Sequence, residues 1–499
     1  MNWAVAPLLL PLLTALGLLF GRPGVGRRWV AGLSATLQLG VALYLLGRTY
    51  FQGMVVLLLG GWAAPAGIVL AVDTFSAIML CLAALISLAC LLYGFAESPV
   101  SIEHPLRLPL LQFLVMGINL CFCTGDLFNL YVGFEVMLIA SYALLTLEAD
   151  DWDIKQAYPY VAINLVGSAL FLSAAGLAYG IFGTLNFADL AMRAAGMGDD
   201  PRVQTLAMLL LVVFGIKAGL FPLYYWLPNS YPTLPFPLAA LYAGMLTKVG
   251  VYVLARIFGT VLPHDLHFAH HVLAVLAGLT MVIAVLGALS RQFIRGILSF
   301  HILSQIGFMV LAVGLFTPLS FAAAIFYIIH HIVVKASLFL IGGVAATLNG
   351  TDNLARGGRL WGLTPWLGIL FLAQALSLAG LPPLSGFWGK YVILVVGLEQ
   401  GRYILVGAAL VASLLTLMSM LKIWNATFWS EAPDAVVNMD NSRWKRMTWV
   451  VGGLTIISLG IGLGAEGVMQ VAQKAAGQVL DQQGYAAAVL GATGKGNLP

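Results

Sequence analysis

Ionisable side chains stand in several stretches that are otherwise apolar enough to cross a membrane. They are Glu135, Lys217, Lys248, His330, His331, Lys335 and Lys390. A charged side chain at bilayer depth costs at least roughly 2.5–3.5 kcal/mol, so such residues are functional candidates by default. Amines, imidazoles and carboxylates all take up and release protons. Their presence in apolar segments predicts proton transfer through the membrane interior.

Glu135 and Lys217 are predicted to form an ion pair. Glu135 lies about nine residues, or roughly 13 Å, beyond the helix start at Asp126, which is close to the bilayer midplane. Lys217 lies in the last turn of a helix, where the carbonyl end of the helix dipole favours a cation. Lys248, in LYAGMLTKVGVYVLAR, has no acidic residue within one helical turn. We therefore expect Lys248 to exchange its proton readily.

A second group lies in LSFHILSQIG and FYIIHHIVVKASLFL. His331 and Lys335 are four residues apart and share a helix face, whereas His330 points about 100° away. His301 and Ser304 are secondary candidates on the preceding helix. A lone intramembrane histidine often only packs, so His301 and one of the two adjacent histidines are also open to that interpretation.

Other charged residues have simpler expected roles. Asp73 and Asp126 stand at helix starts and are expected to cap them, with Asp126 kept as a secondary candidate. Arg48, Arg256 and Lys422 lie near helix ends, where long basic side chains usually reach back to the membrane surface.

Two apolar segments carry helix-breaking residues at their middle, in KAGLFPLYYWLP (217–228) and GLPPLSGFWGK (380–390). Proline removes a backbone donor and clashes with the preceding turn, so both helices should break inside the membrane. Such breaks are tolerated only against protein or a water-lined cavity. The predicted break residues are Pro222, Pro228, Pro382, Pro383 and Gly386.

Lys390 directly follows the second break. Ser385 is predicted to cap the second half of that helix, which would place Lys390 near the positive end of the helix dipole. That setting disfavours its charge, opposite to the setting expected for Lys217. We expect Lys390 to be a proton donor or acceptor beside a hydrated break.

The composition is that of an integral membrane protein. The 499 residues are 61% hydrophobic and 9% charged, whereas soluble domains have about 25% charged residues. The net charge of +4 is small and the basic residues are scattered, which argues against a nucleic-acid partner. The four cysteines lie in apolar runs without metal-ligand spacing. No cofactor, metal site or enzymatic active site is predicted.

Apolar windows of about 20 residues predict fourteen transmembrane helices in a single all-α polytopic domain, 1–499. They are 3–20, 29–49, 74–96, 107–124, 127–147, 156–182, 203–228, 235–258, 268–289, 297–315, 319–347, 366–399, 402–428 and 447–464. Residues 50–72 are Gly-rich and contain Pro65, so they are interpreted as an extracytoplasmic hairpin. The tail, 465–499, is expected to be a weakly helical surface segment.

The two breaks fall in predicted helices 7 and 12, five helices apart. Helices 4–8 (107–258) and 9–13 (268–430) are therefore predicted to be repeats, preceded by helices 1–3 (1–106). An odd number of spans forces the second copy to be inverted relative to the first, as in many secondary transporters, where interrupted helices mark the ion pathway.

The distribution of basic residues predicts that both termini face outside. Loops after odd-numbered helices contain Arg22, Arg27, Arg28, Arg107, Lys155, Arg291, Arg295, Arg356, Arg359, Arg443, Lys445 and Arg446. Loops after even-numbered helices and the tail contain Arg48, Arg193, Arg202, Arg256, Arg402, Lys474 and Lys495. The first group is the larger one and is therefore assigned to the cytoplasmic side.

These motifs together resemble the antiporter-like subunits shared by respiratory complex I and multisubunit Mrp cation/proton antiporters. The resemblance rests on GDLFNLYVGFEVMLIASYALL (125–145), KAGLFPLYYWLP, AGMLTKVGVYVLAR (243–256), ILSFHILSQIGFM (297–309), HHIVVKASLFLIGG (330–343) and GLPPLSGFWGK. It covers most of the chain and is nearest to the D-type subunits of Mrp antiporters, because of FNLYVGFEVML and Tyr225. One departure is Pro232, where D-type relatives often have histidine; this puts a proton-uptake role for that loop in doubt.

The resemblance implies a function and partners. It implies an ion pair of Glu135 with Lys217, a central Lys248, and a hydrated polar axis through the helix 11 histidines to Lys390. The chain would be a proton-translocating subunit of a Na⁺/H⁺ antiporter, with Li⁺ or K⁺ as further candidate cations. The A, B, C, E, F and G subunits of an Mrp complex would be its partners in a bacterial cytoplasmic membrane. The alternatives are a proton-pumping subunit of a complex I-like quinone oxidoreductase or membrane-bound hydrogenase, and a non-transporting assembly scaffold.

Overall fold

The computed structural model describes residues 3–21, 24–431 and 442–492, so Arg22 and Lys495 lie outside the described residues. The first helices are α1 Ala6–Phe20, α2 Val25–Gln52, α3 Thr74–Glu97, α4 Arg107–Cys123, α5 Leu127–Thr146, α6 Asp151–Phe182, α7 Phe187–Ala194, α8 Pro201–Ala218, α9 Leu227–Ser230 and α10 Phe236–Arg256. The remaining helices are α11 His267–Ser290, α12 Ile294–Gly314, α13 Pro318–Asn349, α14 Leu360–Leu363, α15 Pro365–Ala379, α16 Ser385–Glu399, α17 Tyr403–Trp424, α18 Arg443–Leu463, α19 Ala465–Leu480 and α20 Gln482–Leu490. Short π-helical segments, Ile257–Val261 and Asn425–Trp429, extend α10 and α17.

The chain is a multi-pass membrane protein. In the described parts of the chain, twelve helices are long and apolar enough to cross a membrane, and α4 and α15 are shorter apolar helices. Each of the fourteen windows predicted from the sequence contains helix. The exact number of crossings, the segment boundaries and the inverted repeats stay predictions.

A small β-hairpin lies between α2 and α3, where the sequence predicts a hairpin instead of a span. Strands β1 Val55–Leu58 and β2 Val69–Val72 pair antiparallel, with Val55 opposite Val72. The Gly125 N–H donates to the Val69 carbonyl at 2.9 Å, which joins the hairpin to the connection between α4 and α5. We call this side of the bundle the hairpin end and the opposite side, which holds the connection between α3 and α4, the loop end.

The prediction for the tail was wrong. Residues 465–490 form α19 and α20, which pack against the bundle at the hairpin end instead of lying on the surface as a weak helix. Ala472, Ala475, Ala476 and Val479 are fully buried. These small side chains let α19 approach α3 and α13 closely, and the sequence pattern alone does not reveal that packing.

The centre of the bundle is formed by α10, α12 and α13, whose apolar windows are fully buried inside the protein. By contrast, α1 and α2 lie at the periphery and are only about a third buried in the same windows, at 28% and 33%. A polar side chain on α10, α12 or α13 therefore points into protein rather than lipid. The helices that carry Lys248, His301 and His331 are these three.

Both interrupted helices end in the same local geometry. Gly219 follows α8 and Gly380 follows α15, each in the left-handed conformation with φ of 81° and 93°. In each case the glycine N–H and the next N–H donate to one carbonyl in the last helical turn, that of Gly215 or Leu376. This is the common glycine-terminated helix end.

The predicted break residues fall on both sides of these turns. Pro222, Pro382 and Pro383 lie in the non-helical connections, in accordance with the lack of a donor N–H. Pro228 and Gly386 instead lie in the first turn of the short helix α9 and of α16. They therefore start the second helical pieces and do not break the first ones.

Substituting Gly380 or Gly219 by alanine is expected to destabilise the protein. The left-handed conformation costs a residue with a Cβ about 1–2 kcal/mol. A Cβ at Gly380 would also lie 2.9 Å from Lys390 Cδ, and one at Gly219 would lie 2.8 Å from Leu303 Cδ2. We expect lower thermal unfolding temperatures for both variants in detergent.

The matched control for these variants is Gly453→Ala. Gly453 lies inside α18 and a Cβ there would meet no atom of the described chain within 4 Å. Alanine is the better helix former, so this variant should be at least as stable as the unmodified protein. Equal unfolding temperatures for Gly380→Ala and Gly453→Ala would contradict the role given to the break.

Candidate functional site

The centre of the candidate site is a group of amines and imidazoles on α10 and α13. Lys248, His331 and Lys335 are completely buried. The Lys248 ammonium donates to the Ala243 carbonyl at 2.5 Å and to Thr247 Oγ1 at 3.2 Å. Neither ring nitrogen of His331, nor Lys335 Nζ, has a hydrogen-bond partner among the described residues. Buried polar groups of this kind are normally satisfied by water.

His331 has charged or titratable side chains of three helices around it. His331 lies within electrostatic range of Lys248, Lys335, His330 and Lys390. These neighbours include the lysine of α10 and the lysine of α16. The structure places these residues near one another, and their roles in proton transfer stay predictions.

A chain of hydroxyl groups joins α13 to both halves of the second broken helix. His330 Nδ1 and Ser385 Oγ are 2.7 Å apart, and Ser385 Oγ lies 2.9 Å from Ser377 Oγ across the break. Ser385 does not cap α16 as predicted, because its hydroxyl is turned towards His330 and the N-cap position is Leu384. It is a partner of the histidine instead.

The predicted setting of Lys390 was wrong. Its ammonium donates to the carbonyls of Leu378 at 2.9 Å and Ala379 at 3.1 Å, at the carbonyl end of α15. Helical side chains lean back towards the N-terminus of their own helix, which carries Lys390 across the break to the preceding half-helix. The negative end of that half-helix favours the ammonium, whereas the sequence suggested the opposite.

The predicted ion pair of Glu135 with Lys217 is not formed as a direct contact. None of the salt bridges within 4.0 Å among the described residues joins the two side chains. Lys217 Nζ instead donates to the Asn164 carbonyl at 3.1 Å and to Ser168 Oγ at 3.2 Å, both on α6. Glu135 lies within electrostatic range of Lys217, and its Oε1 is buried without a hydrogen-bond partner in the part of the chain that the structure describes.

The secondary candidates differ in their placement. His301 is fully buried, hydrogen-bonds Ser419 through Nε2, and lies within electrostatic range of Lys335 and Lys390. Ser304 donates to the Met281 carbonyl at 3.0 Å, away from these groups. Asp126 accepts the Asn129 N–H at 2.9 Å as the N-cap of α5. Burial raises the pKa of Asp126, against the effect of its backbone hydrogen bonds.

Several uncharged polar residues of the axis were missed by sequence reasoning. Tyr327 Oη hydrogen-bonds Gln305 Oε1, and Gln305 Nε2 donates to Thr416 Oγ1 at 3.3 Å. Gln374 is fully buried, and neither of its amide atoms has a partner within residues 3–21, 24–431 and 442–492. The available signal was a glutamine inside an apolar helix, which is weaker than a charged residue in the same place.

Arg256 was also predicted wrongly. It does not reach the membrane surface but forms a buried bidentate ion pair with Asp73, at 2.6 and 2.8 Å. Burial alone would raise the pKa of Asp73, but the charge and hydrogen bonds of Arg256 hold it below its usual value. Arg48 and Lys422 keep partly exposed contacts near helix ends, as expected.

A comparison with protein families identifies the type of protein. The model of the family "NADH:quinone oxidoreductase/Mrp antiporter, TM" matches residues 124–416, which contain Glu135 and the whole axis to Lys390. The chain belongs to this family.

Individual members of the NADH:quinone oxidoreductase/Mrp antiporter family are similar over almost the entire chain. The D subunit of the Na⁺/H⁺ antiporter of Alkalihalophilus pseudofirmus is 41% identical over 98% of this chain and 99% of its own length. The corresponding D subunit of Bacillus subtilis is 37% identical over 98% of this chain and 99% of its own length.

Solved structures of family members have the same fold. A chain of the Mrp complex from Dietzia sp. DQ12-45-1b matches with a TM-score of 0.89 and 30% identity, covering 98% of this chain and 99% of that one. A chain of respiratory complex I from Thermus thermophilus matches with a TM-score of 0.80 and 26% identity, covering 96% and 99%. The predicted family resemblance is thereby confirmed.

Proposed function

We propose that this chain is the proton-translocating subunit of a multisubunit sodium/proton antiporter. The observation that carries the proposal is the buried axis from Lys248 through His331 and His330 to Lys390. Protein groups that can hold a proton follow one another there at the centre of the membrane domain. The naming of its relatives as D subunits of Na⁺/H⁺ antiporters supports the same conclusion.

The proposed residues have distinct roles in moving the proton. Lys248 is the central carrier, since its ammonium is buried and its hydrogen-bond partners are neutral. His331, whose buried ring nitrogens have no hydrogen-bond partner among the described residues, passes the proton between Lys248 and the residues near the second break, with Lys335 beside it. Lys390 holds it at the carbonyl end of α15. Water completes the contacts that the side chains lack.

Glu135 and Lys217 are proposed to drive this transfer. In the structure they interact at a distance, and Lys217 is held by neutral groups of α6. When the two side chains approach each other, their charges neutralise; when they separate, the positive charge of Lys217 acts more strongly on its neighbours. That change of field would push a proton from Lys248 towards His331.

Protons are proposed to enter from the loop end. A cavity of 340 Å³ lies there beside α9 and the start of α6, and the polar side chains of Gln156, Asn229 and Arg295 are part of its lining. We assign this end to the cytoplasmic side of a bacterial cytoplasmic membrane, with both termini outside. Pro232 also lines this cavity, and no proton-uptake role is proposed for that position.

The complex is proposed to contain the other Mrp-type subunits, namely the A, B, C, E, F and G subunits. Glu135 is the single carboxylate assigned to the axis, which is not a ligand set for sodium. Among the described residues, no three or more His, Cys, Asp or Glu side chains are grouped so as to hold a metal ion. We therefore propose that sodium crosses with the help of a partner subunit.

The test is purification of the intact complex from its native membrane, followed by transport measurement in proteoliposomes. We expect Mrp-type subunits to co-purify, and sodium to dissipate a preformed pH gradient. The second candidate, a redox-driven proton pump, is favoured by the match to complex I. It predicts instead that iron-sulfur and quinone-binding subunits co-purify and that sodium has no effect.

A further inference from the structure

The polar residues of α10 continue beyond Lys248 towards the hairpin end. Tyr252, Arg256 and Thr260 follow at successive steps of four residues, so they lie roughly along one side of the helix. Arg256 is eight residues from Lys248, which is about 12 Å along the axis. This series therefore lies between the proposed central proton carrier and the outer end of the bundle.

The series does not form an open path, because Arg256 is enclosed. Its side chain is only 4% exposed and that of Asp73 only 3%. Besides its two bonds to Asp73, the guanidinium donates to Tyr252 Oη at 3.2 Å and Ser76 Oγ at 3.3 Å. Tyr252 Oη lies 2.9 Å from Ser76 Oγ and donates to the Phe122 carbonyl at 3.1 Å. These hydrogen bonds all join protein groups to one another, and none of them leads from Arg256 to the surface.

Aromatic rings surround this network. The centroid of the Tyr252 ring lies 4.7 Å from that of Phe75 and 4.9 Å from that of Phe122. The guanidinium carbon of Arg256 lies 5.9 Å from the ring centroids of both Phe75 and Tyr485. These rings pack around the ion pair with apolar surface.

The C-terminal helices cover the network from the hairpin end. Gln478 of α19 accepts the Thr74 N–H at 2.9 Å, and Thr260 donates to the Val479 carbonyl at 2.8 Å. Gln482 of α20 donates to the Leu262 carbonyl at 2.7 Å. These bonds tie the tail to the start of α3 and the end of α10, the same two segments that carry Asp73 and Arg256.

We propose that the Asp73–Arg256 ion pair, covered by α19 and α20, is the seal that separates Lys248 from the outer surface. A fixed guanidinium is an electrostatic barrier to protons and other cations, and Asp73 holds this one in place with two hydrogen bonds. The inference rests on the proposed proton-carrier function. An exchanger needs such a barrier because an axis open at both ends would dissipate the gradient.

The test measures passive proton leak in proteoliposomes that contain the whole complex, without sodium. The variant is the double substitution Asp73→Asn with Arg256→Gln, which removes both charges and leaves no unpaired one. We expect a preformed pH gradient to decay several-fold faster than with the unmodified complex. The matched control is the double substitution Asp189→Asn with Arg193→Gln. This ion pair lies near the same end, and its side chains are more exposed, at 13% and 50%. The leak of the control complex should equal that of the unmodified complex.

Two single variants keep the inference testable if the double variant does not assemble. Arg256→Lys keeps the positive charge but loses the bidentate hydrogen bonding of the guanidinium to Asp73. This variant should therefore have a lower unfolding temperature and no proton leak. Tyr485→Ala removes part of the cover and should produce a measurable leak. A tight Tyr485→Ala complex, or a tight double variant where that assembles, would overturn the seal.

These outcomes are distinguishable from failure of the proposed function. If the unmodified complex shows no sodium-dependent exchange, the antiporter proposal fails, whatever the leak of the variants. If the unmodified complex exchanges normally and the double variant assembles, exchanges and does not leak, the ion pair is only structural. In that case the seal is wrong while the antiporter function stands.

Discussion

Replacement of Lys248 by alanine is expected to reduce sodium/proton exchange to the background of vesicles without the complex. Lys248 is the only lysine of α10, and this helix has no histidine or carboxylate, so no group of similar proton affinity on the helix can replace it. Positioned proton-transfer groups contribute roughly 10²–10⁴-fold to rates. The measurement is sodium-induced dissipation of a pH gradient in everted vesicles.

The variant should still assemble, because removing a buried charge whose contacts are all neutral leaves no opposite charge behind. The matched control is Lys445→Ala, since Lys445 is an exposed lysine at the start of α18. Exchange there should equal that of the unmodified complex. Normal exchange by an assembled Lys248→Ala complex would favour the assembly-scaffold alternative over a transporting subunit.

The second large effect is expected at Lys217. In the Lys217→Ala variant, Glu135 loses the positive charge within its electrostatic range, and under the proposed mechanism Lys248 loses the field that moves its proton. We expect exchange to fall to background and the yield of assembled complex to decrease, since a half-buried carboxylate is left without a counter-charge. Both quantities can be measured on the same preparation, by transport assay and by gel filtration.

A double variant separates the two effects. Glu135→Gln with Lys217→Ala has no uncompensated charge, so its yield should recover while exchange stays at background. Ser168→Ala is the control, because Lys217 keeps its bond to the Asn164 carbonyl and exchange should be reduced only slightly. If the double variant regains transport, the pair only maintains structure.

The sequence was sufficient for the features that depend on one helix at a time. Apolar length predicted where helices form, and proline and glycine predicted where two of them are interrupted. The four-residue spacing of His331 and Lys335 placed both on one face of α13. These properties follow from covalent geometry and helix periodicity, which do not depend on the neighbours.

Most of the errors concern contacts between helices. Whether Lys217 of α8 contacts Glu135 of α5 or the polar groups of α6 depends on how these three helices cross. Lys390 reaches the preceding half-helix only because the break brings α15 beside it. The burial of Arg256 depends on α19 and α20, which the tail sequence did not identify as a packed element. Such contacts are set by tertiary packing, and a single sequence contains no direct record of them.

The part of the axis between Lys248 and Lys390 has a consequence for how many protons it can carry. Among the residues that the structure describes, no carboxylate lies within salt-bridge distance of His331, Lys335 or Lys390, so added positive charge there has no directly paired counter-charge. Two adjacent cations in a low-dielectric interior repel strongly. When one of these residues holds an added proton, protonation of the next one is disfavoured. Protons are therefore expected to pass through this part of the axis one at a time.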